Sequence, residues 1–454
     1  MSCCNRRCGL IAGAVFGAVV AVLGGILIPV GDLIIQKTVK QEAVIEPGTT
    51  AHENWAAAGA KVYRQFWLFE VTNAQEVLDD GAAPVVTERG PYTYMMRYLA
   101  KDNITFHHNH TVSYLLPNGA IFEPSMSAGT EEDKITSLNL KGFLAGAFFL
   151  LLLHSILETM IKTSNSSLFQ RRTVKELLNC FVPTKYLIIL FSPQSRSVYL
   201  NVLNKDPGHF AQTLNLGFWN DKYCDMLNGT DASSFPPFVD KKEPIFFFSS
   251  DICRSVSASY EETVNLKGID VYRYSLLQST LASPVDNPDN KCFCSNMKTT
   301  KNCTLAGVLD ISSCQEGRPI YISLPHFLHG SPSLRTDVLG LNPDEEHHKT
   351  FLDVEPTTGF TLNFAKRIQV NMMYGPSKVC GDVKSVTVFL SSTFKQTATL
   401  DDETADMFKK ELMSRIQMLE IIQQVLLGVG LGIFVLCLIF YCVVRRSHNQ
   451  SKLA

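Results

Sequence analysis

Two stretches of the chain carry no charged residue, and they lie at opposite ends: Gly9 to Gly31 (GLIAGAVFGAVVAVLGGILIPVG) and Ile421 to Val444, the latter with Gln423 and Gln424 at its outer edge. About 20 apolar residues in a helix cross a hydrocarbon core, so each stretch predicts a transmembrane helix. A secretory signal peptide would have a shorter apolar stretch and small residues at a cleavage site, whereas Ile28-Pro29-Val30 suits cleavage poorly. The first span therefore reads as an uncleaved signal-anchor. A third apolar run, Phe143 to Leu153, is too short to span and reads as a buried or half-exposed helix over Phe143–Met160.

Between the spans the period changes to two. Pro91–Tyr98, Ile269–Tyr274, Pro319–Leu324 and Phe360–Phe364 are rich in β-branched and aromatic residues, and turn-forming Pro117-Asn118-Gly119, Asn287-Pro288-Asp289-Asn290 and Asn342-Pro343-Asp344 punctuate them. Many short strands predict a large antiparallel sheet or barrel. Helices are expected at its margins: Asp32–Glu42 continuing the first span, Thr173–Leu178, and Asp401–Gln417 leading into the second span. The last places Met407, Phe408, Leu412 and Ile416 on one stripe, and its acidic start suits the helix dipole.

Charge gives the topology. The 454 residues include 41 Lys+Arg and 43 Asp+Glu, too balanced for a nucleic-acid binder, and 46% are apolar, too many for a disordered chain. Arg6 and Arg7 precede the first span and Arg445 and Arg446 follow the second, with no acidic residue in either tail. The positive-inside rule then places both termini in the cytoplasm. The expected layout is tail 1–8, span 9–31, outer domain 32–420, span 421–444 and tail 445–454. Setting aside the five tail cations leaves 36 basic against 43 acidic residues outside, a net charge of −7.

The cysteines divide by compartment. Cys224, Cys253, Cys292, Cys294, Cys303 and Cys314 form an even cluster on the oxidising side, which reads as disulfides. A single residue separates Cys292 from Cys294, against the C-x2-C spacing of zinc knuckles and against a bond between these two. The other pairings stay open on spacing alone. Cys3, Cys4, Cys8 and Cys442 are juxtamembrane candidates for palmitoylation, Cys437 reads as apolar filler, and Cys180 and Cys380 are left over. N-x-[ST] acceptors occur at Asn103, Asn109, Asn165, Asn228 and Asn302, all between the spans.

Catalytic chemistry is not visible. P-loop, G-x-G-x-x-G, G-x-S-x-G and H-E-x-x-H are missing from the sequence. Glu345-Glu346-His347-His348 and His107-His108-x-His110 read as solvated loops rather than metal sites, and Asp353 with Glu355 as solvated or ion-paired carboxylates. No metal and no cofactor are expected. Gly9, Gly13 and Gly17 repeat every four residues, as do Gly428 and Gly432, which suits close packing between the spans or between copies.

Cys8–Val15, Gly24-Gly25-Ile26-Leu27, Pro29-Val30-Gly31-Asp32, Val62–Trp67, Glu88–Tyr94 and Pro117–Ser125 resemble the class B scavenger receptors. So do Gly229-Thr230-Asp231, Phe235-Pro236-Pro237-Phe238, Cys292-Phe293-Cys294, Gly359–Leu362 and Lys366–Asn371. The match covers about three quarters of the chain and weakens over 141–222 and 375–400. It implies an α+β fold: a membrane hairpin of two transmembrane helices carrying a large antiparallel β-barrel-like ectodomain, with a helical apex and an internal lipid tunnel. It implies the disulfides Cys224–Cys292, Cys253–Cys314 and Cys294–Cys303, palmitoylation near both termini, and a lipid entrance for which Lys162 is the nearest lysine. A thrombospondin-binding stretch falls on 93–133, with Glu123, Glu131, Glu132 and Asp133 set to meet a basic partner.

The function implied is a plasma-membrane receptor, not an enzyme, for long-chain fatty acids, lipoproteins and thrombospondin-like adhesive glycoproteins, in contact with membrane lipid. A lysosomal trafficking receptor of the same family is the alternative, and the tail after Val444 lacks an acidic-dileucine signal. A two-span ligand-gated channel would share the topology, but spans without Asp, Glu, Lys, Arg or His count against a pore.

Overall fold

The computed structural model describes residues 6–57, 61–98, 100–107, 111–115, 118–138, 169–179, 198–201, 217–294, 303–314, 320–374 and 387–450. The expected helix at 143–160, Lys162, Asn109, Asn165, Asn302, Cys3, Cys4, Cys180 and Cys380 lie outside the described residues. The chain divides into two compact units, 1–42 with 401–454, and 43–400.

The first unit is a pair of long helices, Arg6–Glu42 and Ser414–Gln450, both long and apolar enough to cross a membrane. Gly13, Gly17 and Gly24 let them approach closely: a Cβ on Gly17 would lie 2.6 Å from the Phe434 nitrogen, and one on Gly24 2.6 Å from that of Leu427. On the second helix the contact falls on Gly430, against the Ala21 backbone, while Gly9, Gly428 and Gly432 face open space. The expected Gly428/Gly432 repeat is thus not the inter-helix face. Gln423 is buried, donating its Nε2–H to the Leu27 carbonyl at 2.9 Å, and Gly31 leaves the room it occupies. Bonding a backbone carbonyl of the neighbouring helix satisfies a polar group that would be expensive in hydrocarbon.

Ahead of the second long helix, Asp401 caps Asp402–Phe408 by accepting from the Thr404 N–H at 2.7 Å. A π-helical turn at Lys409–Met413 follows. It advances the register, which breaks the expected stripe and leaves Met407 exposed while Phe408, Leu412 and Ile416 are half-buried.

The second unit is mostly sheet. Its strands are β1 (Val62–Val71), β2 (Val86–Tyr98), β3 (Asp102–Phe106), β4 (Thr111–Leu115), β5 (Asn118–Phe122), β6 (Lys134–Leu138), β7 (Phe169–Thr173) and β8 (Val198–Asn201). The later ones are β9 (Ile245–Ser249), β10 (Arg254–Leu266), β11 (Ile269–Leu276), β12 (Leu309–Asp310), β13 (Ile320–Ser323), β14 (Phe351–Val354), β15 (Thr361–Tyr374) and β16 (Thr387–Thr399). Eleven of these form one antiparallel sheet in the order β5-β2-β1-β16-β15-β14-β11-β10-β9, and β12 and β13 branch from the far half of β15. Among the described residues the sheet does not close, because its ends are the short strands β5 and β9, which do not pair with one another. The barrel-like enclosure arises from an open sheet that curls.

Period two explains most of the burial. β1 alternates buried and half-buried from Val62 to Leu68; a register shift between Phe66 and Leu68 then changes the phase and buries Phe69 as well. β10 and β11 join through Lys267-Gly268, both at positive φ (50° and 86°), as a two-residue hairpin of matching twist requires. Although the family resemblance weakens over 375–400, β16 is an interior strand, paired with β1 from Leu68 to Val62 and with β15 from Tyr374 to Asn363. Of the turn expected at 117–119, Asn118 and Gly119 begin β5 and Pro117 lies outside the described residues, and Pro288–Phe293 forms a 3-10 helix in place of a simple turn.

Candidate functional site: an apolar cavity inside the sheet

A cavity of about 360 Å³ lies in the concave side of this sheet, lined by side chains of β1, β9, β10, β11, β13, β14, β15 and β16. Each strand contributes residues from its inward face: Phe247, Val256, Leu276, Ile322, Leu352, Leu362, Ile368 and Ala398 among them. The volume is in the range of small-molecule sites, and a lining this apolar favours an alkyl ligand over water.

The motif Lys366–Asn371 shows how a strand serves two faces. Lys366, Ile368 and Val370 alternate with Arg367, Gln369 and Asn371 along β15. Ile368 and Val370 join the core. Gln369 accepts from the His326 N–H at 2.7 Å and donates to Asn371 Oδ1 at 2.7 Å, and Asn371 donates to Ser323 Oγ at 2.9 Å. The buried amides therefore satisfy one another.

Two basic side chains line the cavity. Lys366 donates to Ser249 Oγ at 2.9 Å and to the Asp251 carboxylate. Burial pushes the Asp251 pKa up, but Lys366 and Arg64 outweigh it and hold the carboxyl below its ordinary value. Arg367 is 7% exposed and donates to the carbonyls of Glu346, at 2.9 Å, and Lys349, while its Nε–H has no acceptor. Burial lowers the Arg367 pKa, with Arg273 adding to the effect. At another part of the wall, Asp231 accepts from Trp55 Nε1 at 2.9 Å and from the Tyr114 hydroxyl at 3.3 Å. Gly229 makes that turn possible: at φ 84° its α-carbon lies against the Phe246 carbonyl, where any side chain would collide.

Three disulfides frame the same unit. The structure joins Cys224 to Cys292, Cys253 to Cys314 and Cys294 to Cys303, with Cα–Cα distances of 6.0, 6.4 and 5.9 Å. Among the described residues, the one close group of three metal-ligand types is Asp221, Cys224 and Cys292, whose cysteines are consumed by a disulfide.

The remaining candidates fall as follows. Asn103 is exposed; Asn228 is half-buried, with Oδ1 buried and lacking a donor. Cys8 and Cys442 are free and exposed, while Cys437 is half-buried, its sulfur where a Cβ on Gly13 would go. Glu131 accepts from the Tyr94 hydroxyl at 2.9 Å and Asp133 from that of Tyr92 at 3.2 Å, so both serve the fold. Glu132 is exposed, and Glu123 is half-buried and accepts from the Ser125 hydroxyl at 2.6 Å.

Asp353 is fully buried and receives Arg273 Nε at 2.7 Å, Arg273 NH2 at 2.8 Å and Asn363 Nδ2 at 2.6 Å. Glu355 accepts the Thr357 and Thr358 amides at 2.9 and 2.7 Å. These carboxylates are structural, and neither lines the apolar cavity. Glu345–His348 forms a short helix, with the His348 ring stacked on His326 at 4.6 Å. Burial, then the His326 ring, push the His348 pKa down to about 4. His107 is exposed, and His108 and His110 lie outside the described residues.

An open antiparallel sheet curled around an apolar cavity, disulfide-braced and carried on a chain with an apolar helix at each end, defines a two-span membrane receptor of the scavenger type. The chain belongs to the CD36 family, whose sequence profile matches residues 15–189 and 203–441. It is 31% identical to scavenger receptor class B member 1 of Cricetulus griseus, over 96% of this chain and 89% of that protein. It is 31% identical to lysosome membrane protein 2 of Mus musculus and 32% identical to that of Homo sapiens, in both cases over 83% of this chain and 82% of the relative.

Proposed function

We propose that this chain is a non-catalytic plasma-membrane receptor, with both termini cytoplasmic, that takes long-chain fatty acids and lipoprotein lipids into the apolar cavity. The observation that carries the reading is the cavity itself: about 360 Å³, walled by aliphatic and phenyl groups, with Lys366 and Arg367 on its lining. Each methylene removed from water there contributes about 0.8 kcal/mol. The unaccepted Nε–H of Arg367 offers a charge-assisted hydrogen bond to a carboxylate. Palmitoyl groups on Cys8 and Cys442 and glycans on Asn103 suit a receptor of this topology. Exposed Glu132 supports the finer reading that a basic, thrombospondin-like glycoprotein docks nearby, and Gly428 and Gly432 offer a face for a second copy.

The test is binding of a labelled long-chain fatty acid to the purified full-length protein in detergent, with the disulfides verified. Saturation, with competition by unlabelled acid, is the expected result; strictly proportional uptake would end the lipid-receptor reading. The similarity to lysosome membrane protein 2 favours a second reading, residence in lysosomes. Surface biotinylation of intact cells separates the two: labelling supports the plasma membrane, and intracellular protein beyond reach of the reagent supports the lysosome.

A further inference from the structure

A second cavity of the ectodomain, about 270 Å³, lies beside the Cys224–Cys292 disulfide and the 279–290 turn. Arg254 lines it and is only 8% exposed. Its guanidinium donates to the carbonyls of Thr280 at 3.0 Å and Ser255 at 3.4 Å and to Asn290 Oδ1 at 3.3 and 3.4 Å, and stacks over the Phe293 ring at 3.6 Å. All of these partners are neutral. Cations this deep are ordinarily neutralised by a carboxylate, because dipoles alone do not replace the hydration of a full charge. Burial lowers the Arg254 pKa to about 10, and the group that opposes the shift is the Tyr223 phenol, also on the cavity lining.

A second group in the same cavity is incomplete. Asn228 Oδ1 is buried and accepts no hydrogen bond. The one carboxylate on this lining, Asp289, acts on the Tyr223 phenol and does not pair with Arg254. The site thus lacks an anion at Arg254 and a donor at Asn228. Monohydrogen phosphate, or a phosphate monoester as its monoanion, carries both, a negative oxygen and a P–OH. Sulfate at neutral pH carries only the first.

We propose that this cavity is a binding site for a phosphate group, with Arg254 taking the anionic oxygen and Asn228 Oδ1 accepting the remaining proton. The phosphate is either free or the headgroup of an amphiphile. The second source is structurally reasonable because Val256 and Thr280 line both this cavity and the apolar one. The proposal stands independently of lipid entry into the apolar cavity.

The test uses the full-length protein made with disulfides but without N-glycans, since Asn228 is also a glycan acceptor. Inorganic phosphate is titrated calorimetrically at fixed ionic strength, alongside sulfate and a short-chain phosphatidic acid. Phosphate should saturate, and sulfate should bind about tenfold or more weakly, as leaving the buried Asn228 acceptor unsatisfied implies. Arg254→Gln should abolish binding. Because that variant could misfold, Asn290→Asp is the companion: Asn290 Oδ1 already accepts from Arg254, and a carboxylate there would neutralise the guanidinium and exclude phosphate. Competition by phosphatidic acid identifies a headgroup source and its failure to compete identifies free phosphate; either supports the site. No saturable phosphate binding by the wild type, sulfate binding as tight as phosphate, or undiminished binding in folded Asn290→Asp overturns it.

Discussion

The two ectodomain cavities share part of a wall and differ in how polar that wall is. On the apolar one, Lys366 is matched by Asp251 and Ser249, and Arg367 rests on two carbonyls with its Nε–H left over. On the polar one, Arg254 rests on carbonyls, an amide and a phenyl ring. A mostly apolar wall with one ion pair and one spare guanidinium N–H is prepared for a ligand that is mostly hydrocarbon with a single carboxylate. A smaller cavity with a largely polar wall and a buried cation among neutral dipoles is prepared for a ligand that is mostly charge. The same sheet thus supplies two recognition chemistries, and removing a group should have different consequences on each side.

The largest difference is expected in stability. Asp353→Ala removes the two-pronged partner of Arg273, leaving it Glu262 at 3.5 Å, and should cost about 3 kcal/mol in denaturant unfolding, the low end for breaking a buried pair. A cost under about 1 kcal/mol would show that this pair does not hold β11, β14 and β15 together. Next is Ala398→Phe, which projects a ring into the apolar cavity. Displacing about four methylenes of a bound chain should weaken fatty-acid binding about a hundredfold while phosphate binding holds. Equal losses at both cavities would erase the distinction between them.

Arg254→Met in phosphate-free protein is the converse test. It removes no ion pair and leaves two or three acceptors without donors, so about 1–2 kcal/mol is expected, well below Asp353→Ala. The smallest effect is with pH. His348 has a folded pKa of about 4, below its ordinary value near 6.5 in an unfolded chain. Between these values the unfolded state binds more protons, so the His348 contribution is fully present above about pH 6.5, is lost as pH falls toward 4, and is flat below that. The slope of unfolding free energy over this window should be shallower in His348→Asn.

Much of the fold was legible because it follows from local pattern. Spans show as charge-free runs, and strands such as Ile269–Leu276 show as alternation of β-branched and aromatic residues. The cavity was not legible: Phe247, Leu276, Ile322 and Leu362 are strand-core residues like any others until the curl of the sheet brings them around one space. Gly430 was passed over for the more conspicuous Gly428/Gly432 repeat because the contact face depends on how two helices cross, which neither helix states alone. The acidic stretch at 123–133 was legible as charge, but Tyr94 and Tyr92 engage Glu131 and Asp133, a pairing between strand and turn that spacing does not reveal. Arg254 gave no signal, since one arginine at the start of a strand is unremarkable until its partners prove neutral.

Photo-crosslinking with a diazirine-bearing long-chain fatty acid, followed by peptide mass mapping of the full-length protein, tests the lipid reading most directly. The expected result is labelling on peptides carrying Phe247, Leu352, Leu362 or Ile368, suppressed by unlabelled acid and by Ala398→Phe. Labelling confined to the membrane helices, or labelling of the sheet that excess unlabelled acid does not suppress, would contradict it.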